Sequence, residues 1–157
     1  MAQTATAPRK RNRTQAPAQP QPRLWSHGAF HWNELCTRDV EGAKRFYADT
    51  IGWSFEAMPM PDGGTYWCAY QNGKPVGGIF ALTSPEYDGV PEGWMSYLAV
   101  DDVDARVAKA LKAGAKLMKP AFDVPNVGRI AILMQPGGAG VGWMTPFCDQ
   151  VAERSAQ

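Results

Sequence analysis

Two stretches of this chain, about sixty residues apart, follow one pattern. Asn33–Tyr47 reads NELCTRDVEGAKRFY and Ser96–Lys109 reads SYLAVDDVDARVAK. Each passes from a short apolar strand through an acidic turn, Arg38-Asp39 or Asp101-Asp102, into a helix with Ala, Val and aromatic residues on one face. The helices end near Gly52 and Gly114, and short strands separated by turns follow, the last being Val76–Ala81 and Val141–Thr145. A repeat of this length fixes the architecture before any single residue does. The unit is βαβββ, present twice, and it predicts an α+β fold.

Local signals fill in the unit. Asp39 and Asp102 stand where N-caps belong. The first copy is expected to run as strand 30–36, helix 40–50, strand 54–58, then a hairpin of 65–71 and 75–82 closed by Asn72-Gly73, the strongest short hairpin signal. Residues 84–93, rich in Pro, Gly and acids, link the copies. The second copy then runs as strand 95–100, helix 103–113 and strands 116–122, 129–134 and 140–145.

Charge is unevenly distributed. Of sixteen Lys and Arg, five fall within residues 1–26 with no acid beside them, leaving eleven bases against fifteen acids elsewhere. Ala, Pro, Gln and Thr supply the rest of that segment, which has too little apolar surface to offset its ordering entropy. Residues 1–24 therefore read as a disordered basic tail, 25–148 as one domain with modules 29–84 and 94–147, and 149–157 as a C-terminal tail. No apolar run approaches the roughly eighteen residues of a membrane span, and no signal-type segment is evident. Cys36, Cys68 and Cys148 are odd in number and scattered, which points to reduced thiols and a cytoplasmic setting. Nucleic acid and membrane are not expected partners.

Two further motifs have ordinary explanations. Gly137-Gly138-Ala139-Gly140 lies between two strands, whereas a phosphate loop leads from a strand into a helix. Asp101-Asp102-Val103-Asp104 lacks the Gly and distal Glu of a calcium loop.

The segment ELCTRDVEGAKRFYADTIGW and the closing MQPGGAGVGWMTP resemble the vicinal oxygen chelate superfamily, which contains glyoxalase I, extradiol dioxygenases and the bleomycin and fosfomycin resistance proteins. The resemblance spans residues 29–147. It implies two βαβββ modules forming an incomplete barrel around a concave pocket, and in many members a homodimer. It also implies a divalent metal held by the first and last strand of each module. Carried across residue by residue, those ligand positions fall on Trp32 and Met95 and near Gly77 and Gly142, none of which supplies imidazole or carboxylate. The expectation is a member with no metal and no cofactor.

With Trp32 facing the pocket, the period of two places Glu34 and Cys36 beside it and, from the second copy, Met95 and Tyr97. Trp67 and Trp143 complete the expected ligand-binding group of Trp32, Glu34, Trp67, Met95, Tyr97 and Trp143. Glu34 is the candidate catalytic residue, since a desolvated carboxylate has the raised pKa of a general acid or base. Its structural alternative is a wall residue paired with Arg38, Arg129 or a backbone donor. Flat Trp faces around one polar handle suit an aromatic or conjugated small molecule. Two functions stay open: metal-independent binding of such a molecule, and an enzyme, either a glyoxalase-like lyase or a metal-free isomerase or cyclase with Glu34 as base.

Overall fold

A computed structural model describes residues 24–147. The tails expected over 1–24 and 149–157 lie, apart from residue 24, outside the described residues. The element order is β1 (Phe30–Thr37), α1 (Val40–Ile51), β2 (Ser54–Pro59), β3 (Thr65–Gln71), β4 (Lys74–Ala81), β5 (Gly93–Ala99), α2 (Val103–Lys112), β6 (Lys116–Val124), β7 (Gly128–Met134) and β8 (Gly140–Pro146). Two βαβββ modules result, joined by a segment holding one 3₁₀ turn at Pro85–Tyr87.

Capping chemistry explains where the helices start and stop. The Asp39 carboxylate accepts from the Gly42 N–H at 2.8 Å and that of Asp102 accepts from the Ala105 N–H at 3.0 Å, each satisfying an orphan donor of the first turn. Gly52 ends α1 in the left-handed region at φ 75°, with its N–H returned to Ala48. Asn72 and Gly73 both carry positive φ, 51° and 71°, as a two-residue hairpin turn demands.

The eight strands form one sheet in the order β2-β3-β4-β1-β5-β8-β7-β6. Within each module the first strand lies parallel to the last, β1 on β4 and β5 on β8, and the modules join through the antiparallel β1–β5 pair. In that pair Trp32 opposes Tyr97 and Glu34 opposes Met95. Aligning Asp39 with Asp102 makes Glu34 equivalent to Tyr97 and Trp32 to Met95, so the pairing is symmetric about a local dyad.

Both helices lie on one face. Tyr47 of α1 packs against Trp94, while Val103 of α2 clusters with Val100 and Ala131, with Val107 and Trp143 against them. Ile79, Leu133 and Val103 are wholly buried, each contributing roughly 1.5–3 kcal/mol relative to an exposed side chain. The opposite, inner face has its own cluster of Tyr97, Ile130 and Met144, with Trp32, Met95, Phe122 and Val124 packed on it. Among the described residues no helix is long and apolar enough to cross a membrane.

Candidate functional site

The inner face is built by alternation. Trp32, Glu34 and Cys36 project from β1 and Met95 and Tyr97 from β5, as the register requires. Tyr97 is 5% exposed, while Trp32, Glu34, Cys36, Met95, Tyr66 and Phe122 are half-buried. The result is a half-open aromatic floor with the half-buried carboxylate of Glu34 set into it.

That carboxylate is held by a phenol. Tyr97 donates its hydroxyl to Glu34 Oε1 at 2.6 Å, a short bond across the β1–β5 diagonal. Trp32 Nε1–H donates to the Tyr66 hydroxyl at 2.7 Å, and the Tyr66 phenol lies near enough to Glu34 to favour its ionised form. The Cys36 thiol reaches the same Glu34 oxygen at 3.9 Å. Burial pushes the Glu34 carboxyl above its ordinary value, and the polar hydrogens of Tyr97, Tyr66 and Cys36 and the charge of Lys119 offset only part of that rise. Burial and then the Glu34 charge drive Tyr97 and Tyr66 well above the usual phenol range, so both stay protonated donors. The same two causes push the Cys36 thiol up to about 12, which leaves it inert at neutral pH. The arrangement can hold a ligand group by hydrogen bonds or exchange a proton through Glu34.

The alternative partners foreseen for Glu34 are engaged elsewhere. Arg38 pairs with Glu92 at 3.5 Å, and Arg129 bridges Asp104 at 2.7 Å and Asp123 at 3.0 Å.

Two tryptophans expected in the pocket lie on the other face. Trp67 opposes Ile79 and carries the Lys44 ammonium of α1 3.3 Å from its ring centroid, which places it under the helix. Trp143 packs with the Val100, Val103 and Ala131 cluster and walls a groove of about 360 Å³ against α2 with Leu133 and Val141. Strand parity is the reason: Tyr66 and Cys68 of β3, and Gly142 and Met144 of β8, face inward instead. Tyr66 is thus a site residue that the sequence reading missed. The register also makes Gly78, opposite Glu34, the counterpart of Gly142, opposite Tyr97, whereas Gly77 faces Trp94.

The divalent ion implied by the resemblance does not fit this donor set. A Cβ at Gly78 would overlap the Tyr66 hydroxyl, and one at Gly142 would overlap the Tyr97 ring. Tyrosine therefore fills the space a ligating carboxylate would need on both last strands, and Trp32 and Met95 hold the first-strand positions. Among the described residues no three His, Cys, Asp or Glu side chains stand close enough to share an ion.

Comparison with known proteins agrees with this architecture. Residues 29–143 match the family model described as the Glyoxalase/Bleomycin resistance protein/Dioxygenase superfamily. The CFP32 protein of Mycobacterium tuberculosis, which carries the provisional name glyoxylase, is 40% identical over 119 residues, covering 75% of this chain and 46% of the relative. The anthracycline biosynthesis protein DnrV of Streptomyces peucetius is 29% identical over 123 residues, covering 71% and 45%. The chain spans less than half the length of these curated relatives. Among solved structures, a hypothetical protein from Bacillus halodurans superposes with a TM-score of 0.61 at 10% identity, covering 79% of this chain and 98% of that one. Methylmalonyl-CoA epimerase from Mycobacterium tuberculosis does so with 0.54 at 19%, covering 77% and 89%. The two-module sheet, its dyad pairing and the extent of the match together establish that this chain belongs to the glyoxalase/bleomycin resistance protein/dioxygenase superfamily.

Proposed function

We propose that this protein binds a small aromatic or conjugated molecule on its inner face without a divalent metal. The observation that carries the reading is the floor itself, where Trp32, Tyr66, Tyr97 and Phe122 share one surface with the half-buried carboxylate of Glu34. Stacking on such a floor supplies affinity, and Glu34 with its phenols supplies orientation. DnrV, a relative named for making anthracyclines, which are fused-ring aromatics, supports the same ligand class.

The second reading is an enzyme with Glu34 as general base. Its support is the raised pKa, which puts the carboxyl nearer the range where it both takes and returns a proton. A cytoplasmic homodimer completes the proposal. The free thiols of Cys36 and Cys68 fit a reducing compartment, and exposed Phe30, Phe46 and Trp94 with open edges at β2 and β6 offer association surfaces.

One experiment separates the readings. Trp fluorescence of untagged protein is titrated with a panel of aromatic compounds, alongside Glu34→Gln and elemental analysis. Quenching on binding is expected, with affinity reduced about tenfold to a hundredfold in the variant, as loss of a charged hydrogen bond of roughly 1.5–3 kcal/mol requires. Unchanged affinity with lowered thermal stability would reduce Glu34 to a wall residue. Binding retained with turnover lost would favour the enzyme. One equivalent of zinc, nickel, iron or manganese would overturn the metal-free assignment.

A further inference from the structure

The inner face receives a cation from a direction the strand pattern does not announce. Lys119 and Phe122 lie three residues apart on β6, so in a regular strand they would project to opposite faces. The register shows otherwise: Lys119 opposes Ile132 and Phe122 opposes Ile130, with an irregularity between them that absorbs one residue. A second irregularity separates Lys119 from Leu117. Ile130 belongs to the inner cluster with Tyr97 and Met144, and Ile132, two residues on, shares its face. The bulge therefore turns both Lys119 and Phe122 inward, the use to which bulges beside functional sites are put.

Once inward, Lys119 is well placed. One cross-sheet row runs Lys119, Ile132, Gly142, Tyr97, Trp32. The Tyr97 ring lies over Gly142, so Ile132 is the one side chain that stands between the lysine stem and that ring. The ammonium sits 4.5 Å from the Phe122 ring centroid, and Phe122 packs on the Tyr97 cluster with Trp32 and Met95. Arg38, Lys44, Arg106 and Arg129 each hold a carboxylate within 4.0 Å, whereas Lys119 holds none among the described residues and is exposed. Its charge nonetheless reaches Glu34, where it favours the ionised carboxyl.

We infer that Lys119 is the anion handle of the inner-face site, so that the ligand is an aromatic molecule bearing an ionised oxygen, a phenolate or a carboxylate. The inference rests on the aromatic-binding proposal above and narrows its ligand class. The ring occupies the Trp32, Met95 and Phe122 floor, and the anionic oxygen takes an N–H of Lys119 that no carboxylate among the described residues uses. A carboxyl inclined toward its neutral form at Glu34 limits the repulsion such a ligand would meet.

The test compares anthraquinone-2-carboxylate with its neutral carboxamide, read by Trp quenching with the full chain. In the wild type the carboxylate should bind about fivefold more tightly, the upper range for a solvent-facing ion pair, and the preference should shrink as salt is added. Lys119→Met should bring the ratio to about one while carboxamide affinity holds, and Lys119→Arg should keep the preference. A ratio that Lys119→Met leaves unchanged, or a ratio near one in the wild type, overturns the anion handle and leaves aromatic binding standing. Failure of both probes to bind removes the aromatic-binding proposal and this inference with it. Circular dichroism of each variant confirms that the fold survives.

Discussion

Tyr97→Phe isolates the bond on which the site is built. The substitution keeps the ring over Gly142 and within the Ile130 and Met144 cluster, so packing is conserved and the hydroxyl alone is lost. The cost depends on the state of Glu34, which accepts that hydroxyl at 2.6 Å. Opposite an ionised carboxyl the bond contributes about 1.5–3 kcal/mol, and opposite a protonated one about 0.5–1.5 kcal/mol. The folded pKa of Glu34 lies above its unfolded value of 4.5, so its stability contribution is fully present below that value and is lost as pH rises through the folded pKa. Removing Tyr97's hydroxyl removes an influence that lowers the folded pKa, raising it further and steepening the loss with pH. The destabilisation should therefore grow by about 1 kcal/mol between about pH 4.5 and about pH 8. Urea unfolding at the two pH values, with m unchanged, measures it. In a Glu34→Gln background the cost should be small and independent of pH. Equal costs at both pH values in the wild-type background, or a larger cost in acid, would refute a buried titrating carboxyl beneath Tyr97.

Two other outcomes follow from the same geometry. Gly142→Ala places a methyl group into the Tyr97 ring, a rigid body without a free end to swing away, and should cost about 1–3 kcal/mol; an unchanged melting temperature would show that the ring does not lie there. Cys36, with its thiol pushed up to about 12, should alkylate slowly with iodoacetamide near neutral pH and faster in Glu34→Gln, where the neighbouring charge is gone, as peptide mass spectrometry can follow.

The repeat made the fold legible because caps, turns and alternation all pointed the same way. Asp39, Asp102, Gly52 and Asn72-Gly73 stand where the pattern requires them. The first strands were equally readable: Trp32, Glu34, Met95 and Tyr97 share a face because β1 and β5 are regular from Trp32 onward. The later strands were not, and bulges are the cause. A two-residue turn at Asn72-Gly73 would pair Cys68 with Gly77, but a slip between Ala69 and Tyr70 pairs it with Gly78. Trp67 drew notice by its size, yet parity sends Tyr66 inward, and the only trace in the sequence is the glycine that makes room for it. Lys119 was hidden in the same way, between two irregularities, one of which reverses its face relative to Phe122 and the other of which restores the alternation by Leu117.

The symmetry of the duplication also explains why Glu34 and Tyr97 differ. They are equivalent positions, and the antiparallel β1–β5 pair sets them diagonally across the local dyad, within reach of one another. Were both copies to carry Glu, two carboxylates would meet in a desolvated site and one would have to stay protonated. Were both to carry Tyr, the face would keep two donors and lose its titrating group. Divergence to one acceptor and one donor joins the two equivalent positions by a single bond and leaves a carboxyl at one of them. The last strands keep the common solution, glycine, at Gly78 and Gly142, because in each module a phenol lies across that position, Tyr66 over the first and Tyr97 over the second. The two phenols come from different strands, β3 and β5, so the modules converge on the same packing by unequal routes. Glu34 is consequently held by Tyr97 from its own equivalent position, with the Tyr66 phenol of the neighbouring hairpin and the Lys119 charge of the far module both favouring its ionised form.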